Sequence, residues 1–285
     1  MKVRILLCVT LLSMAMSVFA AEQEETYTDL VPGTGMLEPS LLSNLISRGD
    51  VRAMNNIGVL WAKGYDGKQD YAEALRWWKE AAKRGYAVSM NNIGLAYANG
   101  HGVPADMKQA FDWWFKSAML GNAWAMNSIG DCYETGEGVQ RDFVQALTWY
   151  RTAAENGDAM AHYNVALMYE TGRGIEADPV QAAQWYRQAA RMGDAASMRA
   201  LGRFYREGLG VEADPVEAYA WHLIAQSHFK PQEAADAALN EQEAQRLAAT
   251  LSPAQREQAA VRLEQLEAYT NPEPEKPTAP NETRI

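Results

Sequence analysis

Five aspartates spaced 36 residues apart are the residues of this chain whose type and regular spacing best suit carboxylate chemistry: Asp70, Asp106, Asp142, Asp178 and Asp214. A row of carboxylates can hold divalent cations or act as general acids and bases. Each aspartate, however, stands three residues before a Glu or a Gln, namely Glu73, Gln109, Gln145, Gln181 and Glu217. This spacing is the capping box that opens an α-helix. We therefore interpret the five aspartates as helix caps and not as a catalytic or metal-binding row.

The remaining reactive residues form no recognisable catalytic or metal motif. None of the four histidines is at metal-ligand spacing from another histidine or a cysteine: His101, His162, His222 and His228. The Gly-x-Gly turns lack the lysine or the preceding strand that phosphate-binding loops need. We expect no metal ion, no cofactor and no enzymatic activity. An active site assembled from distant parts of the chain is the alternative.

Composition limits the class of protein and the class of partner. The chain has 285 residues, of which 48% are hydrophobic and 22% charged, with a formal net charge of -10. A chain of this composition can bury a sizeable core, which excludes a collagen-like or largely disordered protein. The acidic balance argues against nucleic acid as a partner, because phosphate binding needs clustered Lys and Arg.

The first twenty residues are typical of an export signal. Lys2 and Arg4 precede a mostly apolar run at 5–18, and small residues precede an acidic stretch. A membrane anchor is the competing interpretation, but this run is shorter than the roughly 20 residues that span a bilayer. We expect residues 1–20 to be cleaved, residues 21–39 to be an acidic linker and the mature protein to be periplasmic or secreted, with no membrane span.

The body of the chain is a repeat of 36 residues that occurs five times, at 49–84, 85–120, 121–156, 157–192 and 193–228. We number positions within each repeat from its opening glycine. Apolar residues at positions 5, 6, 9 and 13, and again at 26, 29, 30 and 33, predict two amphipathic helices per repeat. A glycine turn separates the two helices. The tryptophans that recur at position 29 are predicted to be core residues: Trp77, Trp113, Trp149, Trp185 and Trp221.

A family resemblance rests on this pattern. It is clearest in residues 161–190 and extends over 49–228. In order along the chain, the pattern is Ala or Ser, then Ile-Gly, an aromatic, Gly-x-Gly, Asp, Ala, Trp-Tyr and Ala-Ala. It resembles the Sel-one-like repeat family, a branch of the tetratricopeptide superfamily. The resemblance implies an all-α, right-handed superhelical solenoid of helix-turn-helix repeats, with the first helices lining a concave surface. Members are mostly adaptors, scaffolds and regulators of other proteins.

Segments on both sides of the repeats are predicted to cap them, because the end repeats of a solenoid otherwise expose apolar surface. Residues 40–48 are predicted to form an N-terminal capping helix. Residues 229–270 are predicted to form C-terminal capping helices, the last of which opens with a capping box at Ser252 and Gln255. Residues 271–285 have no apolar periodicity and are predicted to be a disordered tail.

A candidate binding groove follows from the same resemblance. Asparagine at the place in tetratricopeptide domains that is equivalent to position 8 clamps the backbone or terminal carboxylate of a bound peptide, and an amide can both donate to and accept from a peptide backbone. Together with neighbouring positions, the candidate groove residues are Asn55, Asn56, Asn91, Asn92, Trp124, Asn127, Asp131, Tyr163, Asn164, Arg199 and Arg203. The alternative is that the amides tie neighbouring helices together.

The sequence thus predicts an exported, non-enzymatic interaction scaffold or regulator that binds a protein or peptide in the concave groove. A cell-wall enzyme or glycan-binding accessory protein of the bacterial envelope is the alternative from another class. A structural subunit that uses the convex face is a third. The sequence leaves the oligomeric state open.

Overall fold

The computed structural model describes residues 48–64 and 68–271, and all regular secondary structure in these ranges is helical. The first helices of the five repeats are α1 (Val51–Lys63), α3 (Ala87–Asn99), α5 (Ala123–Thr135), α7 (Ala159–Thr171) and α9 (Ala195–Glu207). The second helices are α2 (Tyr71–Lys83), α4 (Met107–Ala118), α6 (Phe143–Glu155), α8 (Pro179–Arg191) and α10 (Pro215–His228). A 3₁₀ turn (Pro231–Glu233), α11 (Ala234–Thr250) and α12 (Pro253–Thr270) follow. The predicted all-helical series of helix-turn-helix repeats is confirmed.

The described chain divides into two compact units. The N-terminal unit contains α1 to α4, α5 as far as Ala125, and Glu137–Val139. The C-terminal unit contains Met126–Gly136 and the described residues from Gln140 onwards. Each unit has its own buried cluster of apolar side chains.

The core of the N-terminal unit is built on a ring at position 30 that packs against a glycine at position 10. Trp78 lies over Gly58 and Trp114 over Gly94, so closely that a Cβ on the glycine would come within 2.4 and 2.5 Å, respectively, of the indole Nε1. The missing glycine side chain lets the two helices of each hairpin approach, and the large ring fills the space between them.

The C-terminal unit uses the same arrangement with other rings. Tyr150 lies over Gly130 and His222 over Gly202, and all four residues are buried. In the repeat between them, Ala166 replaces the glycine and Tyr186 is the buried ring.

The tryptophans at position 29 are not the main core residues that we expected. Trp221 is 2% exposed, but the other four tryptophans at this position are only partly buried. One residue advances a helix by 100°, so positions 29 and 30 point in different directions. Position 30 faces the first helix of the hairpin, whereas position 29 lies at the margin of that contact.

The aspartates before the second helices are helix caps, as predicted. Four of their side chains accept from two backbone N–H groups in the first turn and Asp106 accepts from one. The second half of the capping box is replaced by a backbone contact: the aspartate's own N–H donates to the carbonyl of the aromatic residue at position 13, as from Asp142 to Tyr133 at 2.8 Å. This bond fixes the turn of each hairpin.

Glycine is required in that turn for two different reasons. Gly172 ends α7 in the left-handed conformation, with φ of +69°. Gly174 also has a positive φ, and a Cβ there would lie 2.4 Å from the carbonyl oxygen of Phe143. A side chain at Gly174 would therefore both strain the turn and separate neighbouring repeats.

Two helices follow the last repeat and pack on α10. The N-terminus of α12 has the predicted capping box, with Ser252 and Gln255 bonded reciprocally. Arg262 of α12 makes a bidentate pair with Glu217 of α10, at 2.7 and 3.0 Å. The predicted signal peptide, the acidic linker, almost all of the 40–48 helix and the tail after Asn271 lie outside the described residues.

Candidate functional site

Two asparagines of the N-terminal unit, Asn55 and Asn92, connect neighbouring first helices. The Oδ1 of Asn55 on α1 accepts from Nδ2 of Asn92 at 3.0 Å and from Oγ of Ser89 at 2.9 Å, both on α3. All three side chains are buried. Asn56 is partly buried and accepts from Nδ2 of Asn55 at 3.3 Å. Asn55 and Asn92 therefore hold the first two repeats together, which is the alternative role considered for the amides.

The same contact recurs in the C-terminal unit. Nδ2 of Asn164 on α7 donates to Oδ1 of Asn127 on α5 at 2.9 Å. Asn127 is fully buried, whereas Asn164 is partly buried. In the N-terminal unit, Asn91 is also buried, but neither polar atom of its side chain has a partner in the described part of the chain.

Asp131 is the candidate groove residue with the most unusual electrostatic environment. Its Oδ1 accepts from the hydroxyl of Tyr150 at 2.7 Å, and the same hydroxyl lies 2.8 Å from Oε2 of Glu134. Burial raises the pKa of Asp131 to about 7, the hydrogen bond from Tyr150 lowers it, and the charges of Glu134 and Asp158 raise it further. This carboxyl group therefore changes charge near neutral pH.

An ion pair links each of the last two repeats to the one before it, and a tyrosine of the earlier repeat contacts the glutamate of that pair. Glu134 also binds Arg173, which belongs to the following repeat, at 2.5 Å. In that repeat Glu170 accepts from the hydroxyl of Tyr186 at 2.8 Å and pairs with Arg203 of the next repeat, also at 2.8 Å. The tyrosine at position 30 thus orients a glutamate at position 14, and an arginine from the next repeat neutralises that glutamate.

The tyrosine–glutamate–arginine arrangement was not among the features predicted from the sequence, although the repeats carry a signal for it. Position 14 is Glu in the two repeats with Tyr at position 30, Glu134 with Tyr150 and Glu170 with Tyr186. Position 14 is Ala in the two repeats with Trp at position 30. A carboxylate at position 14 therefore occurs where a phenol hydroxyl lies within hydrogen-bond distance of it.

The other candidate groove residues are partly exposed. Arg199 pairs with Asp236 of α11 at 3.0 Å, and its side chain is 32% exposed. Tyr163 and Trp124 are partly buried. Burial raises the pKa of Tyr163 to about 12, so its hydroxyl remains a neutral donor and acceptor at physiological pH. Trp124 belongs to the N-terminal unit and Tyr163 and Arg199 to the C-terminal unit.

In the C-terminal unit, positions 7 and 11 of the first helices, apart from the buried Asn127, carry polar and apolar side chains that are only partly buried. Residues four apart lie on one side of a helix. We call this set the 7/11 row, and it comprises Asp131, Tyr163, Leu167, Arg199 and Arg203. Both signs of charge and an aromatic ring are present, which suits a mixed polar and apolar ligand.

No group of three or more His, Cys, Asp or Glu side chains that could hold a metal ion occurs within 48–64 and 68–271. Over the same described ranges, none of the helices combines the length and the apolar character needed to cross a bilayer.

Comparison with known proteins identifies the repeat. The Sel1 repeat family model matches residues 51–86, 87–122, 125–158, 159–194 and 195–225. These matches begin at the first helices, two to four residues after the opening glycine of each repeat. No curated protein sequence matches the chain significantly.

Two solved structures are similar over most of this chain. One is a Sel1 repeat protein from Oxalobacter formigenes, with 29% identity, a TM-score of 0.60 and coverage of 78% of this chain and 86% of that one. The other is c5321, a protective antigen present in uropathogenic Escherichia coli strains that displays an SLR fold. It is 28% identical, with a TM-score of 0.66 and coverage of 81% of this chain and 50% of that one, so the match spans half of the antigen.

The five matches are consecutive and together cover well over half of the chain. They also coincide with the five observed helical hairpins. The chain belongs to the Sel1 repeat family.

Proposed function

We propose that the protein is an exported, non-enzymatic scaffold or regulator that binds a protein or peptide through the 7/11 row of its C-terminal unit. Membership of the Sel1 repeat family supports a role in protein interactions. The position of the row on three successive first helices supports an extended ligand, because such a ligand can contact each repeat in turn.

The observation that carries this proposal is the contrast between the two kinds of polar side chain on the first helices. The amides Asn55, Asn92 and Asn127 are buried and bonded to neighbouring repeats. Arg199 and Arg203 keep about a third of their side-chain surface exposed, at 32% and 35%. The 7/11 row therefore provides the contact groups, and the amides hold the helices that present them.

The row offers different chemistry along its length. Asp131 can accept hydrogen bonds from a ligand's N–H or ammonium groups. Tyr163 and Leu167 supply apolar contact area between the charged positions. Arg199 and Arg203 each have five N–H donors, of which their ion pairs with Asp236 and Glu170 use only a part. Their remaining donors suit peptide carbonyls or a terminal carboxylate.

Residues 1–20 direct export in this proposal, and the mature protein begins at Ala21. The basic start, the apolar run and the small residues before the acidic stretch support it. N-terminal sequencing of the protein isolated from fractionated cells tests it. A mature start at Ala21 in the periplasm or medium supports export, and a cytoplasmic protein that keeps residues 1–20 contradicts it.

Site-specific photocrosslinking in intact cells tests the binding proposal. A benzoylphenylalanine at Leu167 places the probe within the 7/11 row, and one at the exposed Gln184 on α8 is the matched control in the same repeat. We expect a discrete crosslinked partner from position 167 and none from position 184. Substitution of both Arg199 and Arg203 by Ala should reduce that product severalfold. Crosslinks from position 184 alone would contradict a role for the row.

A further inference from the structure

Repeat five has a titratable side chain at the core position that the other repeats fill with Trp or Tyr. His222 occupies position 30, where the preceding repeats have Trp78, Trp114, Tyr150 and Tyr186. Its side chain is buried against Gly202 of α9. Histidine is the side chain whose ordinary pKa, about 6.5, lies closest to physiological pH. A change of charge at this position would therefore occur inside the protein core.

The imidazole of His222 holds α11 against α10. Its Nδ1 lies 2.7 Å from Oδ1 of Asn240 on α11. Nδ2 of Asn240 donates to the backbone oxygen of His222 at 2.8 Å and to Oε1 of Gln226 at 2.9 Å. Because these two acceptors fix the amide orientation, Oδ1 of Asn240 must accept, and Nδ1 of the imidazole carries the proton.

The other ring nitrogen has no place for a second proton. Nε2 of His222 is buried and has no hydrogen-bond partner within the described residues. A Cβ on Gly202 would lie 2.7 Å from this nitrogen, so the ring is pressed against the backbone of α9. Protonation of Nε2 would create a buried N–H donor without an acceptor, in addition to a buried positive charge.

The surroundings of the ring oppose protonation overall, and burial is the main cause. Burial lowers the pKa of His222, and Arg206 and Arg199 of α9 lower it further. The hydrogen bond to Asn240 and the charge of Glu243 on α11 raise it, but these effects do not outweigh burial. Glu243 is already paired with Arg206 and Arg246. The neutral ring is therefore the form that fits between α9, α10 and α11.

We infer that His222 is a pH-sensitive latch, and that its protonation releases α11 from α10 and α9. The opened state accepts the proton with an ordinary histidine pKa, whereas the closed state resists it. Acidification through this window therefore favours opening. Release also separates Arg199 and Arg206 from their partners on α11, Asp236 and Glu243. The last repeat then exposes more of Arg199, frees Arg206 from one of its two ion pairs and presents the face of α10 that α11 had covered.

Hydrogen exchange of the full chain, followed by mass spectrometry, measures this opening. Exchange is expressed as protection factors, so that the chemical effect of pH is removed, and peptides from α11 are compared with peptides from α7. As the pH is lowered from about 6.5 to the pKa of His222 in the closed state, we expect the protection of α11 to fall by up to about tenfold per pH unit. The protection of α7 should change little over this range.

His222→Phe is the variant that removes the titrating group and keeps a ring at this position. Its α11 protection should not depend on pH in the same window, whatever its absolute value. His228→Gln is the control, because His228 lies on the same helix and is only partly buried. Its pH dependence should match that of the wild type. Equal pH dependence in wild type and His222→Phe, or none in the wild type, would overturn the inference.

A measurement on the unmodified protein keeps the test independent of how well the variant folds. An NMR titration of the His222 ring should give a pKa below the ordinary value of about 6.5, and the fall in α11 protection should level off below that pKa. A His222 pKa at or above the ordinary value would also overturn the inference.

Discussion

The side-chain amide of Asn92 donates to Oδ1 of Asn55 over 3.0 Å, between residues that are 37 positions apart in the sequence. The same oxygen accepts from the hydroxyl of Ser89. One buried acceptor on α1 therefore satisfies two buried donors on α3. Because a buried donor without a partner costs about 1–3 kcal/mol, this single oxygen is important to the contact between the first two repeats.

Asn55→Ala removes that oxygen and leaves both donors of α3 unpaired. We expect the free energy of unfolding to fall by about 2–3 kcal/mol, measured from urea denaturation followed by circular dichroism. Lys108→Ala, an exposed substitution on α4, is the control and should be nearly neutral. An Asn55→Ala protein as stable as the wild type would show that the amide does not hold the repeats together.

Gly94→Ala separates the effect of helix propensity from the effect of packing. Alanine normally stabilises a helix interior by about 1 kcal/mol relative to glycine. Here the new Cβ would lie 2.5 Å from Nε1 of Trp114, so the two helices must move apart. We expect a net loss of about 1–3 kcal/mol in the free energy of unfolding. A gain in stability would mean that the hairpin does not depend on this close approach.

The hairpins could be predicted from the sequence because the same apolar spacing recurs five times in register. The choice between positions 29 and 30 could not, since both are large and apolar in most repeats. In four of the five repeats, position 10 is a glycine, as at Gly58 and Gly94, and the ring that packs against it identifies the core position. That ring is at position 30, and the pairing becomes visible only when the two helices are brought together.

Trp113 and Trp114 provide the direct comparison of these two positions. Trp114 is 2% exposed, whereas Trp113 is partly buried and lies beneath the ammonium group of Lys116. Trp114→Ala should therefore cost about 3–5 kcal/mol in thermal or urea unfolding. Trp113→Ala should cost clearly less. Equal losses for the two variants would contradict the assignment of position 30 as the main core position.

The roles of the candidate groove residues were harder to predict, because an asparagine amide suits a peptide backbone and a neighbouring amide equally well. Only the distance between Asn127 and Asn164, which belong to successive repeats, distinguishes the two roles. Asp131 presents the opposite difficulty. Its position in the repeat indicated an accessible side chain, but burial raises the pKa of its carboxyl group, and the group accepts a hydrogen bond from Tyr150, which lies 19 residues later on the second helix.

Asp131→Asn tests the effect of that environment on stability. The pKa of Asp131 is about 7 in the folded protein, far above the value of about 3.9 expected in the unfolded chain. As pH rises from about 4 to about 7, the unfolded chain releases this proton first, so the stability of the wild type falls over that range and then levels off. Asparagine remains neutral and still offers an oxygen to Tyr150.

We therefore expect Asp131→Asn to be more stable relative to the wild type at pH 8 than at pH 5, by at least about 1 kcal/mol in urea unfolding. Asp112→Asn replaces an exposed carboxylate on α4 and should show no comparable difference between the two pH values. The comparison between pH values matters more than either value alone, because it removes any constant effect of the new amide on packing. If the two variants respond alike to pH, then Asp131 is not the carboxyl group that titrates near neutrality.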